Sequence, residues 1–234
     1  MAYEKRPDGR AFDELRPIEA EVGVVPRAVG SARFKIGKTE AIAAVYGPKE
    51  MHPRSLSDPK QGVLRCNYNM MPFSGSGDRV RPGQNRRAKE ISMVTENALK
   101  PVVDLSMWPG AVVDVFIEFP QTDAGSRCAG ICAAAMALAD AGIVMRDLVA
   151  AVSVGRVDDK IVVDLDYAEE AYPDGPVADI PLAMVNNTGE VTLLQMDGEI
   201  TKDQLMQALK LGEKALKEIN KAQVAALKAK YERK

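Results

Sequence analysis

The stretch from Cys128 to Ala139, Cys-Ala-Gly-Ile-Cys-Ala-Ala-Ala-Met-Ala-Leu-Ala, has no charged side chain and no strongly polar one to turn toward water. Alanine, leucine and methionine favour a helix, and a helix without a polar face is a buried one. At about 12 residues it is shorter than the ~20 a membrane span needs. It therefore reads as a helix inside a folded core, and no membrane partner is expected. A chain of 234 residues with 46% hydrophobic content has the material for such a core, as one large domain or two small ones.

The flanking sequence reads as strands and helices in two rounds. Residues 19–24, 32–36 and 41–46 form a meander of strands, the last closed by Gly47-Pro48. Leu64, Cys66, Tyr68 and Met70 then share one strand face. A loop rich in Gly, Ser and Arg runs from Ser74 to Gln84, followed by helical spacing of Arg87, Ile91, Val94, Ala98 and Leu99, with Asn85 as cap and Pro101 as stop. Residues 112–119 are a strand, and a polar turn, 121–127, leads into the apolar helix. Strands 149–155 and 161–165 precede an acidic, proline-containing loop, 166–178. Strands 180–186 and 190–196 are joined at Asn187-Thr188-Gly189, and a lysine-rich helix follows from Thr201. The expectation is an α+β protein of two βαβ-containing halves, divided into 1–148 and 149–234, with mixed sheets and flanking helices.

Charge narrows the chemistry. With 31 basic and 33 acidic residues the net charge is −2, so nothing coats a polyanion by bulk charge and any such partner needs a local patch. A single histidine, His52, and three cysteines argue against histidine-rich zinc sites, disulfide frameworks and His-centred triads. Carboxylates, arginines and backbone amides remain. The charged start, Met1-Ala2-Tyr3-Glu4-Lys5-Arg6, is unlike a secretory signal, so a cytoplasmic location is expected.

Two glycine motifs are decoys. Gly37-Lys38-Thr39 lacks the earlier glycine of a phosphate loop, since Ala32 stands there, and strand rather than helix follows. Gly75 and Gly77 begin a dinucleotide fingerprint, but Val80 holds the place of its third glycine. The turn Thr122-Asp123-Ala124-Gly125-Ser126-Arg127 is a better phosphate site: free amides and the dipole at a helix start attract an anion, Gly125 allows close approach, Ser126 adds a donor and Arg127 can clamp two oxygens. An ordinary capped helix is the plain alternative.

Arg79, Arg81, Arg86, Arg87 and Lys89 form an acid-free basic stretch across a loop and a helix start, which suits a phosphodiester backbone. Arg54 in a loop could add a contact, and Tyr68 could stack on a base or be a core tyrosine. Asp164, Asp166, Glu169, Glu170, Asp174 and Asp179 crowd one region. Asp179 stands at a loop-to-strand junction, where paired carboxylates bind a divalent metal or supply a general acid.

Asp8-Gly9-Arg10 with Leu15-Arg16-Pro17, Gly37-Lys38-Thr39 leading to Val45-Tyr46-Gly47-Pro48, Met71-Pro72-Phe73-Ser74, Arg86-Arg87 with Glu90-Ile91-Ser92, and Asp123 to Arg127 together resemble the RNase PH family. The resemblance runs from about residue 6 to about residue 220, nearest the branch that forms the catalytic ring subunits of archaeal exosomes. It implies a 3′-to-5′ exoribonuclease that degrades single-stranded RNA to nucleoside diphosphates, with inorganic phosphate as co-substrate, reversible to RNA tailing. Mg2+, a homologous non-catalytic ring subunit in a hexamer of three heterodimers, and RNA-binding cap proteins are also implied. Matched by position, Gly125, Ser126 and Arg127 are the phosphate turn, Arg86 and Arg87 the RNA-binding pair, Asp179 the catalytic aspartate as general acid or metal ligand, and Arg54 a pore-loop residue. The second carboxylate, catalytic or metal-binding, is Asp174 or Glu170, with Asp174 favoured. Two other readings stay open: a free-standing homo-hexamer that trims transfer-RNA ends, and a ring subunit that binds RNA without cleaving it.

Overall fold

The computed structural model describes residues 3–77, 79–83 and 85–232. Met1, Ala2 and Gln84, which the readings above include, lie outside the described residues. Strands β1 (Ile18–Val22), β2 (Gly30–Ile36), β3 (Thr39–Glu50), β4 (Val63–Met70) and β5 (Ala111–Gln121) form one sheet in the order β1-β2-β3-β5-β4. Every pairing is antiparallel except β4 with β5. A parallel pair needs a crossover, and α1 (Arg86–Leu99) supplies it. As expected, Asn85 caps α1, its side chain accepting from the Ala88 amide at 2.8 Å.

The apolar run forms α2 (Ser126–Asp140), with every residue buried except Arg127 and Ala139. Its burial has two sources. Toward the first sheet it packs on Ala32, Phe34, Ala41, Ala43 and Val45 of β2 and β3, an inward row of mostly small side chains. The approach is close enough that a Cβ on Gly30 would come 2.1 Å from the Ala141 amide nitrogen, so only glycine fits there.

Its other side meets a second sheet of β6 (Val149–Val157), β7 (Lys160–Val163), β8 (Val177–Val185), β9 (Val191–Leu194) and β10 (Asp197–Gly198). There β6 is central, antiparallel to β7 and β8, so those two run in the same direction on either side of it. Strands β9 and β10 share the far edge of β8. Cys132 of α2 exchanges hydrogen bonds with the Ala151 backbone. The opposite face of this sheet carries α4 (Lys202–Glu232), where Gly212 lies against Leu182 and Val154. Among the described residues no helix is long and apolar enough to cross a membrane.

The stretch read as an acidic loop contains a helical turn, α3 (Tyr167–Glu170). Asp166 and Glu169 form a reciprocal capping box, each side chain accepting from the other's amide, at 2.9 and 3.0 Å. The fully buried Glu169 is further held by Arg6, at 2.7 and 2.8 Å, which locks the N-terminal segment to α3.

Candidate active site

The turn before α2 opens on a cavity of about 240 Å³ lined by Gly125, Ser126, Arg127, Ser153, Glu170 and Asp179, among others. Ala124 and Gly125 are both left-handed, with φ of 57° and 62°. No side chain caps α2 in the usual way, so its N-terminus faces the cavity. The Ser126 hydroxyl is paired with the Tyr68 hydroxyl at 2.8 Å. Arg127 reaches Glu90 at 3.4 Å through one nitrogen, while its buried Nε has no partner. An anion here would meet a helix dipole, an oriented hydroxyl and an under-used guanidinium.

The opposite wall is acidic. Asp179 projects from β8, and the Ser153 hydroxyl of β6 donates to it. Burial raises the Asp179 carboxyl above its ordinary value, as does Asp197, its cross-strand partner on β10, while Ser153, Arg127 and Arg87 oppose the rise. Glu170 accepts from the Gly125 amide, and burial together with the Asp179 charge pushes it up to about 7. A second chamber of about 600 Å³ shares Arg87, Arg127, Glu170, Asp179 and Pro181 with the first and continues past Gln195 and Asp197. Those shared residues form the waist where the two chambers meet.

The structure corrects two expectations, Asp174 and Tyr68, and places Arg54 outside the cleft. Asp174 is exposed and lines neither chamber; it lies near Tyr172 and Asp158, and Glu170 is the carboxylate that stands beside Asp179. The reason is α3: its last residue, Glu170, points into the cleft, and the chain has left the cleft before Asp174. Tyr68 is 4% exposed, with its ring 4.9 Å from that of Phe119, so it offers no face to a base and instead orients Ser126. Arg54 belongs to a 3-10 turn, Arg54–Leu56, pairs with Glu50 at 2.5 Å and lines neither chamber. That turn follows the end of β3 remote from Thr39, which adjoins the phosphate turn. Arg86 and Arg87 are both exposed at the start of α1, but only Arg87 reaches the waist.

Among the described residues no group of three or more His, Cys, Asp or Glu is arranged to hold a metal ion. Mg2+ at a phosphate site takes one or two carboxylates and completes its shell with phosphate oxygens and water, a donor set that Asp179 and Glu170 fit and Asp174 does not. Glu90, Ser153, Tyr167, Gln195 and Asp197 also line or brace the cleft. Glu90 lies in the Arg86-Arg87 to Glu90-Ile91-Ser92 stretch, whereas the other four belong to no local motif and only the tertiary arrangement reveals them.

Residues 14–144 match the first domain, and 147–215 the second, of the RNase_PH 3′ exoribonuclease family. The chain is 50% identical over 226 residues to the Exosome complex component Rrp41 of Methanopyrus kandleri, covering 97% of this chain and 93% of that one. It is 51% identical over 227 residues to the protein of the same name from Pyrococcus abyssi, covering 97% and 90%. Among solved structures it is similar to rice Rrp46, with a TM-score of 0.82 and 25% identity over 95% of this chain and 100% of that one. A chain of the Archaeoglobus fulgidus exosome with RNA bound to the active site aligns with a TM-score of 0.78 and 25% identity, covering 93% and 92%.

Proposed function

The chain belongs to the RNase PH family of 3′ exoribonucleases, and from that premise we propose that it is the catalytic ring subunit of an exosome of the archaeal type, degrading single-stranded RNA with inorganic phosphate. One observation carries the reading: the anion turn, Arg87 and the Asp179 carboxyl open on the same waist between two chambers. Phosphoryl transfer depends on positioning and charge neutralisation more than on a covalent nucleophile, which these groups can supply.

In this reading, phosphate sits at the start of α2 against Ser126 and Arg127, and Arg87 holds the terminal phosphodiester. A phosphate oxygen attacks that phosphorus, the bond to the penultimate 3′ oxygen breaks, and the oxygen takes its proton from Asp179. A nucleoside diphosphate leaves, and the same steps reversed add nucleotides. Were Asp179 a metal ligand instead of the general acid, Glu170 and Asp179 would hold Mg2+, which would supply further charge neutralisation. Residues 1–148 then contribute the phosphate turn and basic groups, and 149–234 the acidic edge. Three copies would alternate with three of a homologous non-catalytic subunit in a cytoplasmic ring bearing RNA-binding caps, with Arg54 meeting RNA before it reaches the cleft. A subunit that only bound RNA would have no use for the phosphate turn and Asp179, both of which this chain retains.

The test mixes the chain with 5′-labelled single-stranded RNA, with and without phosphate and with and without its ring partner. Diphosphate release only with both supports the assignment, and full activity of the chain alone as a homo-hexamer rejects the exosome role. Arg127→Ala is expected to raise the phosphate concentration for half-maximal rate by about ten- to hundredfold, the loss of a charge-assisted contact, while RNA affinity stays near that of the unmodified protein. An unchanged phosphate titration would remove Arg127 from the clamp. Replacing Arg86 and Arg87 by Ala should weaken binding to every RNA sequence and flatten the salt dependence by about one unit of log-log slope per lost contact. A salt slope equal to that of the unmodified protein contradicts the backbone role.

A further inference from the structure

The phosphate turn is left-handed at two successive residues, and one of them, Ala124, is not glycine. An L-residue in that region costs about 1–2 kcal/mol and persists only where its surroundings compel it. The compulsion comes from beneath. The Thr39 hydroxyl donates to the Ala124 carbonyl at 2.7 Å and accepts from the Asp123 amide at 2.8 Å. The Arg16 guanidinium donates to the Asp123 carbonyl and lies 3.4 Å from where a Cβ on Gly125 would stand. Both carbonyls entering the turn are thus pulled away from the cavity, leaving the amides at the helix start to face it.

Neither brace lines the cavity. Thr39 is wholly buried and Arg16 is 5% exposed. Arg16 is itself fixed by Asp164, through contacts of 2.7 and 2.9 Å to its guanidinium and 2.9 Å to its amide. Its side chain crosses Gly37, where a Cβ would come 2.4 Å from Arg16 Cδ, so the glycine of Gly37-Lys38-Thr39 makes room for it. The motif dismissed as a phosphate loop therefore acts on the phosphate turn from behind.

We propose that Thr39 and Arg16 are positioning residues that set phosphate affinity by holding the Asp123–Gly125 turn in its anion-receiving conformation. This rests on the phosphorolysis reading above. The test uses the ring assembled with its partner, assayed well below the measured melting temperature of each variant. Thr39→Val keeps the shape and removes the hydroxyl; the half-saturating phosphate concentration should rise about two- to tenfold, the worth of a lost hydrogen bond. The half-saturating RNA concentration and the rate at saturating phosphate should not change, and Thr39→Ser should restore the unmodified value. Arg16→Lys, which keeps the charge but loses the planar fork, should shift phosphate in the same direction and serves if the valine variant does not fold. Equal losses for phosphate and RNA, or variants with the unmodified phosphate requirement, overturn the brace. If the unmodified ring itself needs no phosphate, the phosphorolysis reading fails first.

Discussion

Asp179→Asn is expected to lower phosphorolysis by about 10²- to 10⁴-fold, the usual contribution of a positioned general acid, with RNA affinity unchanged. The substitution keeps the shape and the acceptor oxygen for the Ser153 hydroxyl, so the β6–β8 contact survives while the transferable proton is lost. Asp179 is suited to hold that proton because burial favours its neutral form, with Asp197 adding repulsion across the strand pair. Degradation and tailing share one transition state, so nucleotide addition from diphosphates should fall by the same factor. Single-turnover assays in both directions, with filter binding on the same samples, measure all three quantities. Retained turnover in either direction removes Asp179 from the chemistry.

Arg6→Ala should cost about 3–5 kcal/mol of folding stability, because it leaves the buried Glu169 carboxylate without its charge partner. Both carboxylate oxygens are engaged by Arg6, whose remaining donors reach the carbonyls of Val163 at 2.9 Å and Asp164 at 2.8 Å. The Tyr3 hydroxyl also donates to Glu169, at 2.5 Å, and alone cannot offset a buried charge. Urea denaturation of the chain measures the loss. Lys35→Ala, which breaks an exposed pair with Glu19, is the control and should shift the midpoint little. A shift for Arg6→Ala no larger than for the control would show that the N-terminal segment is not part of the cooperative core. Since α3 carries both Glu169 and Glu170, partial loss of this lock should also loosen the acidic wall of the cleft.

Much of the fold was legible because its signals are local. The polar-free run announced α2, Asn85 and the spacing of Ile91, Val94 and Ala98 announced α1, and Asn187-Thr188-Gly189 announced the turn between β8 and β9. Boundaries drifted where register rather than pattern sets them: the strand read as 180–186 begins at Val177, because Val157 pairs with it across the sheet. The turn proposed to hold phosphate was legible as a helix start too, since glycine, hydroxyl and arginine lie together in sequence before α2.

The acidic side was not. Asp174 and Glu170 are four residues apart in a run of acids, and composition does not distinguish them. A buried ion pair from residue 6 and a capping box shape α3, and α3 turns Glu170 inward. Tyr68 and Arg54 show the same division. Strand alternation put Tyr68 on one face of β4, but only the tertiary packing that carries its hydroxyl to Ser126 decides that this side chain meets the start of α2 rather than RNA. Arg54 sits beyond the end of β3 remote from Thr39, a separation that a linear list of basic residues does not reveal. By itself the sequence determined which segments are helix or strand and which turn brings glycine, hydroxyl and arginine to a helix start, because periodicity, caps and contiguous motifs act over a few residues. Only the tertiary structure decided which carboxylate faces that turn and what holds the turn in place, because those depend on Arg6, Arg16 and Thr39 meeting residues more than eighty positions away.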